Sequence, residues 1–259
     1  MGKSAEQGTV KKKSQIVDVW KRLCRNKTAL LGLIIVSLLI LMALLAPVIF
    51  NYEEQVIKAD YSNTLQAPSA AHPFGTDELG RDIMIRVMYG TTTSLSIGIV
   101  TVALSLLGGL ILGSAAGYFG GKVDNIIMRI MDIFLAVPGT LLAICIVASL
   151  GNSIMNLVIA QAVAAVPRFS RVVRGAVLTV RDAEYVEAAR AIGAKDATII
   201  FRDVLPNSLA PIIVQTTLEV ATIILSIAGL SFIGLGIPAP MPEWGAMLSA
   251  SRAYIRDYS

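Results

Sequence analysis

Long uncharged stretches alternate with short charged ones along this chain. No Asp, Glu, Lys or Arg occurs from Thr28 to Tyr52. As a helix, Thr28–Phe50 would reach roughly 34 Å, enough for a hydrocarbon core of about 30 Å. A secretory signal would carry an apolar region of only about 7–15 residues, so this run reads as a retained helix. A second uncharged run covers Thr91–Gly121. A third extends from Ile133 to Pro167 and is too long for one helix. Gly151, Asn152 and Ser153 divide it into spans near 133–150 and 153–172, joined by a tight turn. The last apolar run, broken only by Glu219, extends from about Leu209 to Gly236. The pattern predicts an all-α polytopic membrane protein with five spans present.

Composition agrees with a bilayer as solvent. Of 259 residues, 55% are hydrophobic and 15% charged, with a mean hydropathy of +0.70. A soluble domain would carry about 25% charged residues. The formal net charge is +4. Its basic residues flank apolar runs, which fits an anionic surface of membrane lipid better than nucleic acid, so no nucleic-acid partner is expected. Cys24 and Cys145 form neither a disulfide framework nor a zinc pattern and read as small apolar fillers. With His72 the only histidine, a histidine-based metal cluster is ruled out.

The loops set an orientation. Residues 1–27 hold eight Lys/Arg against two acids, and residues 51–90 hold three against six. Lys/Arg excess marks the cytoplasmic side. The N-terminus is therefore expected inside and the 51–90 segment outside. Counting onward puts 119–130 inside, 151–153 outside, 174–206 inside and 237–259 outside. The seven Lys/Arg of residues 168–206 agree. Before the first span, Ile16, Val19, Trp20 and Leu23 recur at helical spacing among Lys21, Arg22 and Arg25. This suits an amphipathic helix on the inner surface, or equally a basic flank that sets orientation.

The stretch from Arg174 to Pro211 is too long for a simple turn. Asp182 can cap a helix whose apolar side is Tyr185, Val186, Ala189 and Ile192, and which Gly193 ends. A second short helix is expected from about Lys195 to Val204, stopping before Pro206. Small side chains at Ala188, Ala189 and Ala191 would let another backbone approach closely.

Glu187-Ala188-Ala189, then Gly193, then Leu205-Pro206 twelve residues further on resembles the EAA loop of binding-protein-dependent ABC importer permeases. Where that pattern has an aliphatic residue two places before Leu-Pro, this chain has Asp203. HPFGTDELGRDIMIRVMYG, His72–Gly90, resembles a signature of the dipeptide, oligopeptide and nickel permeases, specifically of the second of their two permease subunits. Its Gly75 and Gly80 suit tight turns, and Asp77, Glu78, Arg81 and Asp82 can pair in a compact loop. GLSFIGLGIPAPMPEWGAMLSASRAYI, Gly229–Ile255, resembles the same family's region after its fifth span. The likeness covers the chain from about Trp20 onward.

That resemblance implies the ABC importer type I transmembrane fold, with a sixth span after Ser259. Its expected layout is a cytoplasmic segment 1–27, a first transmembrane helix 28–50, an external loop 51–90, and a core 91–259 that includes a coupling loop 174–206. Implied partners are a second homologous permease, two ATP-binding cassette ATPases and an extracytoplasmic solute-binding protein. The location is a bacterial or archaeal plasma (inner) membrane. Glu187, Ala188, Ala189, Gly193, Leu205 and Pro206 would form the contact with the ATPase. The implied function is half of a pathway for peptides, with nickel and oligosaccharides as alternative solutes. No cofactor is expected, because ATP would be bound by the partner.

Three further features bear on function. Gly109, Gly113 and Gly117 share one helix face and suit close helix packing or a sliding gate. Glu219 lies within the fifth span, where a carboxylate is a candidate for the pathway, for pairing with the partner permease, or for a protonated packed group. In the resembled family an acid often stands at the position of Ile227, just over two turns away. Arg129 and Asp132 are spaced to pair on one face. A secondary transporter would more often show two related halves, which this chain lacks. A hydrolase is disfavoured by a lone histidine and the absence of G-x-S-x-G and H-E-x-x-H. Gly120-Gly121-Lys122-Val123 lacks both the Ser/Thr and the glycine spacing of a phosphate loop. The chain is thus expected not to be an enzyme.

Overall fold

A computed structural model describes residues 23–254. The expected N-terminal amphipathic helix, apart from Leu23 and Arg25, lies outside these residues.

The first apolar run becomes α1 (Lys27–Ile49). Asn26 caps it, accepting from the backbone N–H groups of Thr28 and Ala29. Only Ala46 is buried, and most of the leucine and isoleucine side chains point away from the protein. In water that surface would drive aggregation, whereas against lipid it costs nothing.

The second helix, α2 (Ile83–Phe119), begins eight residues before the uncharged run. Asp82 caps it through the N–H of Ile85, and Arg86 lies inside its first turn. The charge at Arg86 hides this start in a hydropathy reading. Arg86 is buried in the polar loop above, donating to the Val56 carbonyl at 2.7 Å.

The predicted inner loop 119–130 is instead part of an amphipathic helix, α3 (Gly121–Ala136). The predicted span 133–150 is broken at Val137-Pro138, and α4 (Gly139–Leu150) leaves α3 at 84°. Proline has no N–H to continue the ladder, and the residue before it is pushed to extended backbone, as Val137 is. The turn at 151–153 forms with positive φ at Gly151, and Ser153 caps α5 (Ile154–Leu178). After the segment 179–208 comes α7 (Leu209–Phe232), preceded by the short α6 (Glu184–Ala191) and followed by α8 (Trp244–Ser251).

Length and composition mark α1, α2 and α7 as able to cross a membrane, and the bent α3–α4 pair makes a fourth when it is counted as one span. The fourth predicted span, 153–172, corresponds to α5, 25 residues long but carrying Arg168, Arg171 and Arg174.

The core is built around α2 and α5, which make the most extensive helix contact. Gly109, Gly113 and Gly117 form the seam. A Cβ at Gly109 would overlap Phe169. At Gly113 it would lie 2.5 Å from the Ser170 carbonyl oxygen, and at Gly117 2.8 Å from Val177 Cγ1. Hydrogen at these three positions is what lets the two backbones touch. Phe169, Leu157, Ile223 and Ile227 fill the adjoining core, with α7 packed across both helices.

One end of the bundle gathers residues 51–82, the 151–153 turn and the segment 234–254. There Asn152 reaches the Gly234 carbonyl, and Trp244 Nε1 donates to Val87 O at 3.2 Å. Asp77 binds Arg81 at 2.7 Å and Arg86 at 3.4 Å, Glu78 lies 3.7 Å from Arg81, and His72 pairs with Asp82 at 2.9 Å. Gly75 and Gly80 both have positive φ in this loop. The opposite end carries α6 and the rest of the 179–208 segment.

Candidate functional site

Two places gather the residues that sequence singles out. The first is the helical module of residues 182–207. Residue 183, not Asp182, is the N-cap of α6; Asp182 instead pairs with Arg181 at 3.2 Å. Only Val186 of the predicted apolar side is fully buried, while Tyr185 and Ile192 are exposed. The module packs through one stripe of Val186, Ile199, Val204 and Leu205 against Tyr118, Val173 and Val177.

Gly193 makes the turn after α6 with φ +78°, and nothing lies within 4 Å of where its Cβ would stand. The glycine therefore serves backbone geometry inside the chain and leaves open space outside it. Beyond the turn the backbone is helical at Asp196–Ile199, widens to a π-turn at Ile200–Val204, and continues through Leu205–Asn207. Pro206 does not end a helix here; it occupies the first turn of the Leu205–Asn207 piece, where no N–H is missed.

Tyr118, at the end of α2, ties both sides of this turn together. Its hydroxyl donates to Asp196 Oδ1 at 2.8 Å, while Arg190 Nε donates to the hydroxyl at 3.4 Å. The Arg190 guanidinium also stands 5.0 Å from the ring centroid. The hydrogen bond to Tyr118 raises the Arg190 pKa further above its ordinary value. Arg181 adds a bond to the Gly117 carbonyl at 3.0 Å. Sequence reasoning missed Tyr118, because residues separated by over seventy positions share no local pattern. Glu187, Ala188, Pro206 and Gly193 are all exposed, as are Tyr185, Ile192 and Phe201, so the module presents an open face of mixed small and large side chains.

The second place is a cavity of about 540 Å³ between α4, α5 and α7. Glu219 lies on its wall and is 2% exposed. Its partner comes from the same chain: Arg168 Nη1 stands 2.9 Å from Glu219 Oε1. The pair is close, but its geometry is not that of a hydrogen bond, so Oε1 has no hydrogen-bond donor. Gln215 Nε2 donates to Oε2 at 3.1 Å. Nearby, Gln161 and Ser226 exchange hydrogen bonds at 2.9 and 3.2 Å. Ile227 is buried in the core one face away.

Other expectations are corrected here. Asp132 pairs with Arg171 of α5 at 2.6 Å, not with Arg129, because the bend at Pro138 brings α3 alongside α5. Both Cys24 and Cys145 are exposed, not packed fillers. Among the described residues no three His, Cys, Asp or Glu converge as metal ligands.

Comparison with known proteins adds the following. Residues 109–255 match the family model described as the binding-protein-dependent transport system inner membrane component. Residues 14–68 match the N-terminal TM domain of oligopeptide transport permease C. The dipeptide transport system permease protein DppC of Alkalihalophilus pseudofirmus is 50% identical over 240 residues, covering 93% of this chain and 78% of that protein. The glutathione transport system permease protein GsiD of Pectobacterium atrosepticum is 43% identical, covering 91% and 78%. The di/tripeptide transport system permease protein DppC of Pseudomonas aeruginosa is 42% identical, covering 93% and 81%. Among solved structures, the MetNI methionine ABC transporter in inward-facing form aligns with a TM-score of 0.56 at 21% identity. That alignment covers 67% of this chain and 83% of that one, and it speaks for the fold alone.

Proposed function

Because this chain belongs to the binding-protein-dependent transport system inner membrane components, we propose that it forms half of the transmembrane pathway of an ATP-driven importer of short peptides. A solute-binding protein delivers the peptide at the end that carries residues 51–82 and 234–254. A second permease supplies the other half, and two separate ATPase subunits bind and hydrolyse ATP. The Lys/Arg balance of the loops supports an orientation with residues 1–27 and the 182–207 module in the cytoplasm and residues 51–82 outside.

The observation that carries the reading is the helix–Gly193–helix module. It is anchored to the bundle on one side through Val186, Val204 and Tyr118. On the other it leaves Glu187, Ala188, Gly193 and Pro206 open. That exposed surface, fixed to the ends of α2 and α5, can receive a protein partner and pass its displacement to the spans. Glu187 would pair across that contact. The chain itself contributes no chemistry in this reading; it is a pathway and a mechanical link. Peptides are the favoured solute because relatives at 42–50% identity are named for dipeptide, di/tripeptide and glutathione transport.

The test is reconstitution. The chain is purified with its companion permease and ATPases, placed in vesicles, and supplied with binding protein and a labelled dipeptide. ATP-dependent accumulation is expected. Accumulation driven by an ion gradient without ATP would overturn the reading.

A further inference from the structure

A carboxylate at mid-helix in the membrane-spanning α7, paired with a guanidinium on the neighbouring α5, needs a reason, since ionised groups in a span are costly and are placed by function. Arg168 lies fourteen residues into α5 and Glu219 ten residues into α7, so each is roughly 15–20 Å from its helix ends at 1.5 Å per residue. Both line the cavity described above. Its volume of about 540 Å³ falls within the roughly 300–1,000 Å³ of small-molecule sites.

The two partners are not equivalent. The Glu219 side chain is 3% exposed and that of Arg168 is 46% exposed. The carboxylate is therefore the backing and the guanidinium is the face presented to the cavity. A guanidinium carries five N–H donors in a fixed fork. Among the described residues its only partner is Glu219, through Nη1. Donors are left over on the cavity side. Around them stand Thr140 and Thr222 and the Gln161–Ser226 pair, and the remaining wall is aliphatic, with Ile144, Ile223 and Leu230.

We propose that the Arg168 guanidinium, backed by Glu219, receives the terminal carboxylate of a short peptide as it crosses the membrane through this cavity. The inference rests on the reading of peptides as the solute. A carboxylate is the ligand that the fork fits, because two parallel N–H···O bonds hold it in plane. The aliphatic wall accepts varied side chains without selecting one. Glu219 has a second consequence. It keeps the empty cavity neutral and competes for the same guanidinium, so the incoming carboxylate is held weakly enough to leave. A pathway site must allow exit as well as entry.

The test uses the reconstituted transporter with a labelled dipeptide and its C-terminal amide, each compared at equal measured occupancy of the binding protein. The wild-type assembly is expected to import the free acid at least about tenfold faster than the amide, because a donor fork left without its acceptor strongly disfavours the analogue. The preference should shrink in Arg168→Lys, which keeps charge but loses the fork. Arg168→Gln alone strands the buried Glu219, so the double variant Arg168→Gln/Glu219→Gln provides the decisive measurement, removing both charges together. It should assemble and import acid and amide within about twofold of each other. A wild type indifferent to the amide overturns the proposal. So does a double variant that keeps the preference. A double variant that no longer co-purifies with the companion permease shows a brace between subunits, and that also overturns it. A wild type that imports no peptide at all removes the solute reading itself, a different failure from loss of the carboxyl preference alone.

Discussion

Replacing Gly193 separates two roles that one glycine combines. Its φ of +78° lies in the left-handed region, and an added Cβ meets no atom within 4 Å. Within the chain, Gly193→Ala therefore costs only backbone strain, about 1–2 kcal/mol. The stripe of Val186, Ile199, Val204 and Leu205 that holds the module does not depend on the turn. The strain should then be relieved locally, by loss of the native turn. At 1.4 kcal/mol per factor of ten, the native turn becomes about 5- to 30-fold less populated against its alternatives. Apparent affinity for the ATPase falls with the fraction of molecules that keep the native turn, by at most that factor. Asn tolerates left-handed backbone, so Gly193→Asn should recover most of that loss if geometry is the whole role. Gly193→Asp has similar size but adds charge at the open face, and should fall well below Asn if a protein partner sits there. The assay compares membrane level, co-purification with the ATPase and peptide uptake for the three variants. Normal uptake with Gly193→Asp at normal protein level would refute the coupling argument. Equal loss in Ala and Asn would refute the conformational part of it.

Three other outcomes are expected. Gly113→Val places a Cβ 2.5 Å from the Ser170 carbonyl oxygen, so overpacking of about 1–3 kcal/mol should lower the melting temperature of the detergent-purified protein; Gly175→Val, with open space at its Cβ, should not. Asp77 accepts from the N–H groups of Leu79 and Arg81 and faces two nearly buried guanidiniums; Asp77→Asn should cost the loop about 3–5 kcal/mol, read as faster proteolysis between residues 60 and 80. Single cysteines at Ala5, Leu65 and Lys195, in a background lacking Cys24 and Cys145, should react with an impermeant thiol reagent in intact cells only at Leu65; labelling at Lys195 instead would reverse the orientation.

The elements that sequence predicts well are those whose signal is local. α1 follows an uncharged run, and α7 an apolar run broken only by Glu219, each to within a few residues. The glycine seam and the Gly193 turn follow from spacing and from the one residue type that each position tolerates. The start of α2 is hidden because Asp82 and Arg86 read as loop charges, although both are spent on capping and on a buried bond to Val56. Proline is ambiguous by itself: Pro47 and Pro167 sit inside continuous helices, whereas Pro138 separates two helices at 84°. Glu219 is visible in the sequence as an oddity, but its partner is not, since Arg168 is fifty-one positions away on another helix. No rule of local spacing joins them. Tyr118 is hidden for the same reason.

The length of α2 has a mechanical consequence. Its first turns are fastened to the 51–82 loop through Arg86 and to α8 through Trp244. Its last turn holds Asp196 and Arg190 through Tyr118. Thirty-seven residues without a proline make a rod of about 55 Å. Such a rod swung by about 5° about one end carries the other through about 5 Å, close to the rise of one helical turn. A small tilt imposed at the Gly193 module would thus arrive at the opposite face already amplified, with no relay of side chains needed in between. The same helix is a lever whose two handles are Tyr118 and Arg86.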